Sequence, residues 1–248
     1  MNLPDSVDNA IKNATGKPTQ NIGNTLADLW YIVFGGISYK AEQKKIKYDF
    51  LLEQYREELT TSVSNIPPEK RIEPSIQVTA QALDNSKYCI EEEKLREMFV
   101  SLIRNSMNSD FAEQVHPSFA EIIKQMSVLD AKIIRLFKNK IAFPVCQYCL
   151  HFSDDEFRST PIPEHIFLEL SDVDFTLCSQ SLSSLARLGI ISIAYGSAVT
   201  EPNAYDKFLQ HPFYEQIKNE IPVEITLKKG SIMLTPLGRS FVNVCIPD

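Results

Sequence analysis

With 248 residues, 44% of them hydrophobic and 23% charged, the chain is long and apolar enough for one or two folded domains that need no metal or disulfide staple. Its formal net charge of -7 argues against non-specific attachment to nucleic acid or to an anionic membrane, because both attract positive fields. Five cysteines, an odd number, and a polar start MNLPDSVDNAIKNATGK without the apolar core of a secretion signal lead us to expect reduced thiols in a cytoplasm.

Residues 1–20 read as a separate segment, a short helix over Val7 to Ala14 closed by Gly16-Lys17-Pro18. A long helical pattern runs from about Asn24 to Ser64 with no Pro inside it. Gly35-Gly36 is its weak point, since each Gly costs about 1 kcal/mol against Ala in a helix interior, and a kink or break is expected there. Beyond it, Ile46, Phe50, Tyr55 and Leu59 read as one apolar stripe with Lys and Glu opposite. Pro67-Pro68 and Pro74 end the pattern in an extended turn.

The next helix covers Ser75 to Ser86, with Ile76, Ala80 and Leu83 on one face. Another starts near Glu91, where Glu91, Glu92 and Glu93 complement the helix dipole, and Leu95, Met98, Phe99 and Leu102 follow at core spacing. Ser118 with Glu121, and Ser127 with Asp130, have capping-box spacing ahead of Ile122-Ile123 and Ile133-Ile134.

The character changes near Ser127, where helix signals begin to mix with β-rich stretches. LSSLARLGIISIAYG and the ending LKKGSIMLTPLGRSFVNVC resemble a winged-helix domain. Leu182, Leu185 and Leu188 then form the inner face of the second helix of a helix-turn-helix, and Gly189 stops it. Ile190 to Tyr195 is the first wing strand. Val223 to Leu227 and Ser231 to Leu234 are expected to pair around Lys228-Lys229-Gly230 as the wing. Thr235-Pro236 caps a last helix, with Pro at its first position. The segment Gly196 to Asn219 departs from the usual short winged-helix connection.

Several constellations could carry chemistry, and each has a plainer reading. Cys146-x-x-Cys149 followed by His151 has the spacing of a zinc or redox pair. A structural zinc needs four ligands, and only Cys178 or His165 could complete the set, so two half-buried cysteines on a β-like stretch are favoured. His116 before Pro117 could act as a base, but no nucleophile with a matching acid can be assigned, and a loop-setting role is favoured. Glu91, Glu92, Glu93 and Glu97 could ligate a divalent cation, but a solvated helix start explains them.

For DNA reading, Gln180, Ser183, Ser184 and Arg187 are the exposed positions of the Ser179 to Leu188 helix, and Lys228 and Lys229 stand on the wing. From Ser127 onward there are 11 basic and 14 acidic residues, a net charge of -3. A protein-docking use of the fold is therefore favoured over DNA reading, with Arg187, Lys228 and Lys229 the nucleic-acid candidates. Leu26 to Ile37 holds the single Trp and is apolar nearly all round. It is either a core helix or a surface for a partner or membrane, with Trp30, Tyr31 and Phe34 as the interaction candidates and Lys40, Lys44, Lys45 and Lys47 beyond them. No glycine spacing matches a phosphate loop.

The stretch from Ile66 to Asp130 carries the most specific punctuation: the IPP…IEP turn, the helix start YCIEEEKLREMF and the segment VHPSFAEIIKQMS. In these features it resembles the core of the abortive infection alpha family of bacterial proteins. The resemblance implies a role in defence against phage and implies no chemistry. The expected architecture is mainly α, with an N-terminal segment 1–20, a helical domain 21–126 and an α+β winged-helix-like domain 127–248. The expected function is cytoplasmic phage defence through binding rather than catalysis, without a cofactor, metal or small-molecule substrate. A protein partner or self-association is expected, nucleic acid is not, and peripheral membrane contact stays open. The alternative is a winged-helix transcription regulator with an N-terminal dimerisation or sensor domain.

Overall fold

The computed structural model describes residues 20–35, 42–152 and 159–247; the helix expected over Val7 to Ala14 lies outside them. Among the described residues the protein is mainly α-helical, with one four-stranded antiparallel sheet. Two compact units emerge. One takes the described residues up to Val128 together with those from Ser240 on, and the other is Leu129–Arg239.

The first unit is helical. Helix α1 (Gln20–Phe34) stops before Gly35, where the interruption was expected, and α2 (Glu42–Ser64) is the next described helix; Gly36 lies outside the described residues. Trp30 and Phe34, one turn apart on α1, meet at 4.5 Å with their rings tilted by 38°, and both lean on the buried Tyr55 of α2. Leu26 completes this inward row, while Tyr31 and Ile32 face solvent.

The stripe expected on α2 is corrected. Tyr55 and Leu59 are buried, but Ile46 and Phe50 are 67% and 69% exposed. The reason is angular: at about 100° per residue, nine residues amount to two and a half turns, so Ile46 and Phe50 lie opposite Tyr55 and Leu59.

The proline turn leads to α3 (Ile76–Ser86), and α4 (Glu93–Ser106) follows. Ten of the fourteen residues of α4 are buried, as befits a helix surrounded by α2, α3 and α5 (Phe119–Gln125). Its Arg96 is 3% exposed and holds Glu58 of α2 with two bonds of 3.0 Å, while its third reaches the Ile90 carbonyl at 2.9 Å. That bidentate fork satisfies a cation that burial would otherwise penalise. The face expected for α3 is also corrected: Leu83 is buried, but Ile76 points outward, and Val78, Thr79 and Ala82 share the inner side.

The second unit holds most of α6 (Val128–Leu136) and then the sheet, in the order β2-β1-β4-β3. Strand β1 (Ala142–His151) pairs with β2 (Ser159–Pro161) on one side and β4 (Glu224–Leu234) on the other. Helix α7 (Phe175–Arg187) packs on β3 (Ile191–Tyr195). Asp174 caps α7 by accepting the Thr176 N–H at 2.8 Å, and Gly189 ends it at φ +74°. Between β3 and β4 run α8 (Asp206–Leu209) and α9 (Pro212–Glu220). Tyr205, Phe208 and Ile217 from this segment meet Cys146, Tyr148 and Leu150 of β1 in one buried cluster.

The expected wing is not there. Glu224–Leu234 is one continuous strand, with Lys228 opposite Gln147 and Lys229 opposite Cys146, rather than two strands around a turn. Its second half pairs with the expected first wing strand, from Ile191 with Leu234 to Tyr195 with Gly230. Last comes α10 (Pro236–Cys245), whose start is capped as expected: the Gly238 N–H reaches Thr235 Oγ1 at 2.9 Å.

Candidate functional site

In the first unit, α3 and the start of α5 leave an open groove of about 640 Å³ between them. Helix α3 contributes Ala80, Gln81, Asp84 and Asn85, and the turn into α5 contributes Pro117, Ser118 and Glu121. The small Ala80 side chain at the middle of the α3 edge is what leaves room. Asn85, itself buried, reaches Glu121 Oε2 with its amide at 3.3 Å and so ties the two walls together.

Two carboxylates line the groove. Asp84 meets Lys87 at 2.8 Å and Glu121 meets Lys124 at 3.6 Å, each a pairing three residues apart on one helix. Exposed pairs of this kind are worth about 0–1 kcal/mol, so an incoming cation or amide can replace either lysine at small cost. Lys124 also lies 5.2 Å from the ring centre of Tyr88, which is 72% exposed. The groove therefore offers carboxylates, amides and a nearby exposed aromatic ring to a partner.

The turn at the end of the groove corrects the capping box expected at Ser118. Ser118 makes no cap bond to its own helix, and Glu121 turns to Asn85 and Gln125. Instead, His116 Nδ1 accepts the Ser118 N–H at 3.2 Å and lies 2.7 Å from Ser118 Oγ. Toward the Ser118 N–H the imidazole takes the place that the Glu121 carboxylate would have in a capping box. Both members of this pair stand two residues apart in one exposed turn, which gives the loop-setting geometry anticipated for His116-Pro117.

The other sequence candidates are dispersed. Glu91 and Glu93 are exposed at the start of α4, with Glu91 2.9 Å from Lys47. Cys146 and Cys149 lie three apart on β1, so their side chains leave opposite faces of the sheet and cannot grip one ion or oxidise to each other. Both are buried rather than half-buried, and burial pushes the Cys146 thiol up to about 12, which keeps it neutral. His151 bonds Thr226 Oγ1 at 2.7 Å and His165 bonds the Tyr195 hydroxyl at 2.6 Å. Among the described residues, no three His, Cys, Asp or Glu side chains gather as a metal site.

Of the aromatic candidates on α1, Phe34 is buried, Trp30 is half-buried, and Tyr31 faces solvent. Arg187 stands exposed in the last turn of α7. Lys228 and Lys229 are exposed on opposite faces of β4, one over the Tyr195 ring and one over the Tyr205 ring. The sequence reading did not find Asp84, Asn85 and Glu121 as neighbours. The available signal was a small residue, Ala80, followed by Gln81, Asp84 and Asn85 along one helix edge; periodicity does not say which later turn will face that edge.

A family model described as abortive infection alpha matches residues 47–245 of the chain, a span that includes both walls of the groove. No curated protein and no solved structure matches the chain. Among the described residues, no helix is long and apolar enough to cross a membrane.

Proposed function

We propose a role in bacterial phage defence, because the chain belongs to the abortive infection alpha family. In this reading the protein acts in the cytoplasm by binding a protein partner, and the α3–α5 groove is the recognition surface. The observation that carries it is the groove itself. Two carboxylates and a buried amide line it, and the one imidazole–hydroxyl contact beside it is committed to holding a turn. The groove suits a segment that presents a Lys or Arg side chain, since a cation can take over either weakly held carboxylate.

A phage-challenge assay on cells expressing charge-reversed variants tests this. Asp84→Lys should lose protection while circular dichroism and thermal melting stay close to the parent, and Glu121→Lys should lose it with the fold retained by circular dichroism and a lower melting temperature, because the buried Asn85 amide loses its partner. A protective phenotype that survives both reversals, and a groove-filling Ala80→Trp as well, sinks the reading.

A second reading, a winged-helix-like regulator, has one observation in its favour. Helix α7 is followed by β3 and then by a paired strand β4, in the sheet order β1-β4-β3; residues 196–223 then act as a much lengthened wing. Against DNA reading, Arg187 is the single basic exposed side chain on α7, and Lys228 and Lys229 diverge. A mobility-shift titration at low and high salt separates the two, because a DNA-bound regulator loses affinity steeply with salt.

A further inference from the structure

The groove already seats a cation, and the chain supplies it. Lys124 of α5 reaches toward the turn that leaves α3, where its Nζ lies over the Tyr88 ring, 5.2 Å from the centre, and 3.6 Å from Glu121 Oε2. A ring face and a carboxylate thus flank one ammonium, and all three side chains are exposed. Tyr88 is anchored through its backbone, whose N–H reaches the Asn85 carbonyl at 3.2 Å. The Glu121 carboxylate is loosely satisfied. Its contacts with Asn85, Gln125 and Lys124 measure 3.3, 3.3 and 3.6 Å, against about 2.7–2.9 Å for a well-made charge-assisted bond. The other groove lysine, Lys87, is held better, 2.8 Å from Asp84 and over the Phe34 ring at 5.9 Å.

Taking the groove as the recognition surface, we infer that Lys124 is a stand-in for the ligand. The ligand is an arginine side chain of the partner, and Tyr88 and Glu121 select it. A guanidinium is flat and carries its donors in a fork, so it can lie on the Tyr88 ring and give two parallel N–H bonds to the Glu121 carboxylate at once. An ammonium is a compact point charge without that fork, and at 3.6 Å Lys124 makes no full hydrogen bond. Lys124 also competes from within the site. Asp84 and Glu121 are balanced by Lys87 and Lys124, so an arriving arginine must first displace the looser of the two lysines. Once Lys124 swings into solvent, the Glu121 carboxylate is left for the incoming cation.

Nuclear magnetic resonance titrations of the full chain with three capped tripeptides, glycine-arginine-glycine, glycine-lysine-glycine and glycine-citrulline-glycine, read the site directly. The arginine peptide should move the amide signals around Tyr88 and Glu121 saturably and bind at least about threefold more tightly than the lysine peptide. The citrulline peptide, alike in shape but uncharged, should leave those signals in place. Lys124→Met keeps the apolar stem and removes the competing charge, so it should tighten arginine binding at least about threefold. Tyr88→Leu should make the arginine and lysine peptides equal, and Tyr88→Phe should keep the preference. Both positions are exposed, so the variants should match the parent by circular dichroism.

Equal binding of the arginine and lysine peptides to the parent overturns the inference. So does a preference that survives Tyr88→Leu, an arginine affinity that Lys124→Met leaves unchanged, or no arginine binding to either the parent or Lys124→Met. The groove reading fails separately. It falls if phage protection survives the Asp84 and Glu121 reversals, whatever the peptides do, and it stands if protection is lost while the two peptides bind alike.

Discussion

Single residues in this protein are informative where backbone and side chain compete for the same space. A Cβ on Gly238 would lie 1.9 Å from the carbonyl oxygen of Ile190, and that oxygen already accepts the Thr235 N–H at 3.0 Å. No flexible side chain can give way there. Gly238→Ala should therefore cost about 3 kcal/mol, at the upper end for overpacking, and urea melts of the full chain measure it. Gly189, with its positive φ, was legible from LARLG because a stop signal after an apolar helix face has a local cause. The Cys-x-x-Cys pair was read as two cysteines on a β-like stretch, and β1 carries both; the spacing alone is the same in a zinc turn, and only the strand sends the two sulfurs apart.

Two histidines of the second unit link stability to acidity. Burial lowers the pKa of His165 below the ordinary 6.5, and also that of His211, where Asp174 partly offsets the shift. The sign follows from proton uptake: the unfolded chain takes up the proton at a higher pH than the folded one. Stability is therefore full above the unfolded value and is lost as the pH falls from it through the lowered folded values. Protonation also removes an acceptor, for His211 Nδ1 takes the Phe213 N–H at 3.3 Å at the start of α9. The melting temperature of the second unit should drop between about pH 7 and pH 5, and His211→Asn, a capping residue that does not titrate, should flatten part of that drop. A drop of unchanged size in the variant assigns it elsewhere.

At the scale of elements, β4 is the sharpest departure from the sequence reading. Lys228-Lys229-Gly230 has the composition of a turn, but the glycine serves a close approach. A Cβ at Gly230 would stand 2.8 Å from the Tyr195 ring and 2.9 Å from the Ala194 carbonyl oxygen. The same residue type answers to both needs, and the neighbouring strand that decides between them is distant in sequence. The two structures predict opposite outcomes for a proline. At a hairpin tip Lys228→Pro is tolerated. In a continuous strand, where Lys228 stands opposite Gln147 of β1, it removes a ladder donor and bends the strand, at a cost of about 3 kcal/mol or more. Loss of the sheet signal in circular dichroism, with the helical signal of the first unit retained, is the expected result. The misread stripe on α2 has a related origin: the 4-5-4 spacing of Ile46, Phe50, Tyr55 and Leu59 resembles helical periodicity pair by pair but turns through half a circle in the middle.

At the scale of the whole molecule, the change from helical to mixed sequence near Ser127 was visible because strand-rich composition differs from helix-rich composition at any range. The return of the chain was not visible, because amphipathic periodicity reveals that a helix has a buried face and not what buries it. The residues from Ser240 on belong with the helical unit. Phe241 meets Phe119 edge-on at 5.2 Å, and the Asn105 amide of α4 donates to the Val244 carbonyl at 2.8 Å. Phe241, Val242, Val244, Cys245 and Ile246 are all buried. Burying an apolar side chain of this size is worth about 1.5–3 kcal/mol, so together they approach the roughly 5–15 kcal/mol that holds a domain folded. A chain ending at Arg239 should thus lose the first unit, although everything removed lies more than a hundred residues away from that unit's other helices in sequence. A fragment ending at Val128 should fail for the same reason. Amide exchange of α4 reads the outcome: protection in the full chain, and fast exchange of α4 in both truncations. Supplying residues 236–248 as a separate peptide to the longer truncation should recover part of that protection. Full protection of α4 in either truncated chain would mean that the last helix is carried by the helical unit without supporting it.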